Sequence, residues 1–187
     1  MLSLLQGSDQ YESKLEELMV PVQQAICLKA LILAAFKFGL GVAVLVVEEI
    51  LNRRGKEFGE RLLCPVCGTF LESKGLVARS MNTLIGLVSW KRRVWRCPQG
   101  CKIGQIAPLD EELGIEPNQR TSAELKQAAC VLAVFVPFGI ASVLFKSLFG
   151  LDVSPAAIWD WVQSAGKDAM TRLEQELSLL AEQLPNT

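Results

Sequence analysis

Two close pairs of cysteines constrain this chain more than any other feature of its 187 residues. The first lies in Cys64-Pro65-Val66-Cys67-Gly68. The second lies in Cys97-Pro98-Gln99-Gly100-Cys101, after an interval of 29 residues. Each pair has a proline behind its first cysteine and a glycine nearby. That is the pattern of two knuckles aiming four sulfurs at one ion, a tetrahedral four-cysteine zinc site. Gly68 and Gly100 permit the turned backbone, whose free amides can hydrogen-bond the thiolates. Four thiolates close the shell, so the expected Zn2+ is structural. Such an ion supplies on the order of 10–16 kcal/mol in apparent terms to a small fold. Two disulfides or an iron centre are the alternatives. Residues 1–10 carry no basic n-region and turn acidic at Asp9, so no secretory leader supports a disulfide framework. Cys27 and Cys130 sit in apolar stretches and are expected to be buried thiols.

Composition narrows the chemistry. The chain has no histidine, which removes histidine bases, Ser-His and Cys-His pairs and histidine ligands. No Gly-rich phosphate loop and no open metal position is visible, so an enzyme acting alone is not expected. Half the residues are apolar and only 7% are aromatic, so the core is aliphatic.

Net charge is −1, yet its distribution is uneven. Between Asn52 and Gly104 stand eleven bases and three acids, a local excess of eight against −9 elsewhere. A basic middle between acidic flanks points to a local polyanion contact, or to a solvated face balanced by neighbouring acids. In Val88-Ser89-Trp90-Lys91-Arg92-Arg93-Val94-Trp95-Arg96, bases alternate with tryptophans. Alternation places Trp90, Arg92, Val94 and Arg96 on one strand face and Lys91, Arg93 and Trp95 on the other. Bases contact phosphates and tryptophan can stack, so these residues with Lys74, Arg79 and Lys102 form the candidate DNA surface. The alternative is that the tryptophans pack on the ribbon and the arginines are solvated.

The expected fold is mainly α with a small β zinc ribbon. Residues 1–60 read as helical: an amphipathic helix over 11–19, punctuated by Pro21, then a second from about residue 22 towards 58. Residues 61–108 read as the ribbon, with strands over 76–84 and 88–96 around Ile85-Gly86-Leu87. Residues 109–187 return to helix. Thr121 and Glu124 suggest a capping box. Residues 138–148, a turn at Phe149-Gly150-Leu151, and a helix opened by Ser154-Pro155 have helix-turn-helix spacing at about 138–166. The second of these helices offers Trp159 and Gln163 to DNA, though it carries Asp160 and no base before Lys167. Met170, Leu173, Leu177, Leu180 and Leu184 then keep a 3-4-3-4 spacing that could pair with another helix, self-association through this terminal helix included, or pack within the same domain.

Two apolar stretches, residues 30–47 and 128–145, approach the length of a membrane span. The basic segment between them suits a cytoplasmic loop. A two-span membrane protein with a zinc-binding cytoplasmic loop is therefore one alternative reading, and a zinc-ribbon interaction scaffold another.

The order of features resembles the ISKra-type insertion-sequence transposases. The resemblance is carried by CPVCGTFLESKG at 64–75, VSWKRRVWRCPQGC at 88–101, PLDEELGI at 108–115 and VPFGIASVLFKSLFGLDVSPAAIWDWVQSAG at 136–166. It implies a cytoplasmic protein whose ribbon, with Cys64, Cys67, Cys97 and Cys101 as ligands, and helix-turn-helix recognise the DNA ends of a mobile element. It also implies a downstream RNase-H-like domain holding two metals on an Asp-Asp-Glu triad. No carboxylate here is assigned to that triad. The chain is thus expected to be a truncated or first-frame portion, not catalytic alone, with a separately encoded or frameshifted catalytic part as partner.

Overall fold

The first apolar stretch forms one long helix because it holds helix-compatible aliphatic residues and no proline. In the computed structural model, which describes residues 9–57 and 62–183, this is α2, Leu28–Glu57. It follows α1, Asp9–Gln23. Pro21 lies inside α1 rather than ending it, and the Gln24 amide beyond it still donates to Val20 O at 3.0 Å. The connection falls at residues 24–27 and leaves Cys27 exposed, not buried as expected. Cys130 is only partly buried. Tyr11 donates to Glu49 Oε2 at 2.6 Å and ties α1 back along α2.

The chain divides into two compact units, residues 1–122 and 123–187. The helical N-terminal region and the ribbon belong to the first. Its sheet holds β1 (Glu72–Thr83), β2 (Gly86–Arg96) and β3 (Gln105–Ile106) in the order β1-β2-β3, all antiparallel. Thr83 pairs with Gly86, so the hairpin turns at Leu84-Ile85, one step before the expected centre. Gly86 supplies a φ of +136° and the Thr83 hydroxyl donates to its carbonyl at 2.8 Å. β1 begins earlier than expected because a bulge between Ser73 and Leu76 absorbs Lys74 and Gly75.

Helix α2 covers the edge of β2 that β1 leaves open. Glu48 Oε1 accepts from the Ser89 amide and Asn52 Oδ1 from the Lys91 amide, both at 2.8 Å. Side chains thus occupy donors that would otherwise template another strand. The approach is close enough to require glycine: a Cβ on Gly55 would lie 2.2 Å from Lys91 O. Beneath this contact Met81, Val88, Trp90 and Leu109 form a core joined by Val44, Val47 and Leu51 of α2. Leu109 comes from α3, the short helix Pro108–Glu112.

The second unit contains α4 (Ala123–Phe135), α5 (Phe138–Phe149) and α6 (Pro155–Gln183). Helix α4 begins at Ala123, so Ser122 rather than Thr121 immediately precedes it. Thr121 bridges to Asn82 and the Ser122 amide donates to Asn82 O at 2.9 Å. Pro137 splits the second apolar stretch into two helices of 13 and 12 residues, each shorter than a membrane span. Among the described residues, α2 is the one helix long and apolar enough to cross a membrane. Gly150 ends α5 with φ +70°, its amide on Lys146 O and that of Leu151 on Phe145 O. Ser154 Oγ caps α6 by accepting from the Ala157 amide at 3.1 Å. Ala129, Ala141, Phe145 and Ile158 form the buried interior of this unit. Arg61, one of the eleven bases, and Leu184, the last of the spaced apolar residues, lie outside the described residues.

Candidate metal centre and its basic surround

The two cysteine pairs arrive at one point by different routes. The first knuckle is a small hairpin: Leu63 bridges Phe70, the Leu71 amide donates to Leu62 O at 2.8 Å, and the Cys64 amide donates to Thr69 O at 2.9 Å. The second is the turn between β2 and β3, where the Gly100 amide donates to Cys97 O. Gly68 and Gly100 both adopt a φ of +69°, a conformation that a side chain would strain. The Sγ atoms of Cys64, Cys67, Cys97 and Cys101 all lie within 4.8 Å of one another. A tetrahedral ion with metal–sulfur bonds near 2.3 Å needs sulfurs roughly 3.8 Å apart, so a small inward movement completes the shell. All four are free thiols, not two disulfides. The cluster could hold a metal ion, and its all-sulfur donor set suits a soft or borderline one.

The thiols are electrostatically uneven. Hydrogen bonds from Thr69 hold Cys67 down to about 6. Cys101 is pushed up to about 12, chiefly by its hydrogen bonds with Cys67 and Cys97. Thiolates packed this closely resist joint ionisation without a cation among them. Leu71 and Trp95 pack against Cys64 and Cys97 as a second small core.

The hairpin sorts the candidate DNA residues by face. Cross-strand pairing puts Arg79 with Trp90 and Val77 with Arg92 on the face that meets α3. There Asp110 Oδ2 accepts from Arg79 Nη1 at 2.7 Å and from Arg92 Nε at 2.6 Å. Arg79 also donates to Glu116 O and Gln119 O, and Arg92 to Val77 O. Both arginines are therefore committed inside the fold. Trp90 and Trp95 are 3% and 5% exposed, so neither ring is open to a base. Lys91 and Arg93 pair with Ala78 and Leu76 on the opposite face. Among the described residues, no carboxylate lies within ion-pair distance of Lys91, Arg93, Arg96 or Lys102. Lys74, on the bulge, reaches Glu72 at 3.6 Å. Trp159 and Gln163, in the second unit, are exposed on α6.

Asp110 is the residue that the sequence hid. Nothing local marks it as the acceptor for arginines 18 and 31 positions away. Comparison with models of known families gives no match, and comparison with curated proteins gives none either.

Proposed function

We propose that this chain is the DNA-binding portion of an ISKra-type transposase, cytoplasmic and not catalytic by itself. Zn2+ on Cys64, Cys67, Cys97 and Cys101 fixes the ribbon. The outer face of the hairpin binds the DNA ends of the element, and residues 138–166 act as a helix-turn-helix that presents Trp159 and Gln163. The segregation of the hairpin carries this reading. Arg79 and Arg92 are neutralised on one face, while Lys91 and Arg93 on the other stand without acidic partners among the described residues, as a phosphate-binding strand requires. The four sequence blocks that resemble the transposases add independent support.

The test is binding of the zinc-loaded chain, without detergent, to the DNA flanking its own gene and to scrambled DNA across a salt series. Preferential, salt-sensitive binding is expected. A soluble, zinc-loaded chain that ignores DNA overturns the reading in favour of an interaction scaffold.

One observation favours a second reading, membrane attachment: the most apolar stretch of α2 has a mean hydropathy of 2.5 and is only 6% buried. Helix α1 opposes it. Leu18 lies against Gly41 and Tyr11 against Glu49, so a span through α2 would draw Glu12, Glu16 and Glu17 towards lipid. Insolubility without detergent would make this the leading reading.

A further inference from the structure

Among the described residues, the last part of α6 is a helix without a neighbour. Every residue from 163 to 180 is exposed, and at a 1.5 Å rise these 18 residues extend about 27 Å. Met170, Leu173, Leu177 and Leu180 are 56%, 48%, 56% and 59% exposed. They repeat at three and four residues, as a coiled-coil seam does, and occupy a, d, a and d of two heptads. An unsupported helix of this length is marginal in water, and an apolar seam along it needs cover.

We infer that a second copy of this chain covers the seam, as a parallel, in-register coiled coil over residues 170–180. The charges beside the seam select both the occupant and its direction. Glu174 takes position e, and Ala169 and Glu176 take position g. In a parallel pair Glu174 faces Ala169 of the other copy, so no like charges meet there. An antiparallel pair that keeps all four apolar layers sets Leu173 against Leu177. It then brings Glu174 to Glu174 and Glu176 to Glu176 at its centre, two repulsions in the shortest part of the contact. Upstream the seam fades at Gly166 and Gln163, which limits the coil to two heptads and makes the dimer reversible. The contact does not depend on DNA binding. In a dimer, though, two copies of the preceding helices and ribbon are tethered to each other.

Sedimentation of the zinc-loaded full chain tests this. A concentration-dependent species of twice the 20.5 kDa chain mass is expected at roughly micromolar concentrations. Leu173→Glu with Leu177→Glu should raise its Kd by roughly a hundredfold or more. The thermal midpoint of the single chain should not change, because both leucines are exposed in it. Direction is read from Met170→Cys in a Cys27→Ser background. Parallel copies place the two new thiols within disulfide reach under mild oxidation; antiparallel copies place them too far apart. A chain that stays monomeric, a dimer indifferent to the leucine changes, or a double variant whose monomer loses stability overturns the proposal. Dimers that fail to cross-link overturn the parallel register. A chain that dimerises but ignores DNA leaves this inference standing and removes the DNA-binding reading.

Discussion

The two ends of the β1–β2 hairpin are held by different physics. Near Gly86, Met81, Val88, Trp90 and Leu109 bury against Val44, Val47 and Leu51 of α2. Near Arg96, Leu71 and Trp95 meet only Cys64 and Cys97, with a few partly buried neighbours. The first end is an ordinary aliphatic core that helix packing supports. The second is too small for burial to hold it, and there the thiol cluster takes the place of a core. With a metal ion on those thiols, one strand would pass from a fold made by exclusion of water to one made by ligation.

Metal removal is the strongest way to break that comparison. A structural ion of this type supplies on the order of 10–16 kcal/mol in apparent terms. Chelation, or Cys64→Ser with Cys97→Ser, should abolish amide-exchange protection over residues 62–71 and 95–106. Protection over residues 80–90 should survive. Equal loss at both ends would show that the hairpin has one support. The same dependence has a sign in pH. Ligation needs thiolates, and Thr69 already favours that form at Cys67, down to about 6. Metal affinity should fall as pH drops through that value. Loading near neutrality should release protons, Cys101 being the reluctant donor at about 12.

Asp110→Ala ranks next. It leaves Arg79 and Arg92 buried, with side chains 10% and 13% exposed and no anion between them. Removing one partner from such a site costs about 3–5 kcal/mol. Glu112→Ala breaks the pair with Arg54, whose side chains are 47% and 36% exposed, and should cost less than about 1 kcal/mol. Urea melts of the two variants separate a structural clasp from a surface pair two residues away. Gly55→Ala should destabilise by less than Asp110→Ala. Alanine gains up to about 1 kcal/mol of helix propensity. Its Cβ, however, meets backbone at 2.2 Å, and overpacking costs about 1–3 kcal/mol.

These sites also show what was legible in the sequence. The cysteine cluster, the hairpin and the Ser154 cap are local patterns, each fixed by residues a few positions apart; the first and last appear where expected and the hairpin turn is shifted by about a residue. The tryptophans are different. Alternation correctly puts Trp90 and Trp95 on opposite faces of β2, but it cannot say which face is wet. Here both are covered, because different cores flank the two ends of one strand. Arg79 and Arg92 were hidden for the same reason. Their partner lies in α3, and an ion pair between distant segments leaves no period in the sequence. The candidate DNA surface narrows accordingly, from bases on both faces of β2 to Lys91 and Arg93 on the face away from α3.

The smallest effect on stability is also the sharpest test of that narrowing. Lys91→Ala with Arg93→Ala removes two exposed or half-exposed charges on the outer face, and such changes usually stay within about 0.5 kcal/mol. The fold should therefore be unchanged. If DNA lies on this face, the log–log salt slope of binding should become shallower by about 0.9 for each phosphate no longer neutralised. Arg92→Ala should behave in the opposite way, with a clear drop in stability and little change of slope in the fraction that remains folded. A slope altered by Arg92→Ala but indifferent to Lys91 and Arg93 would reverse the assignment of the faces. Because Lys91 also gives its amide to Asn52, an interaction that does not involve the lysine side chain, the alanine variant keeps α2 seated on the strand and isolates the charge.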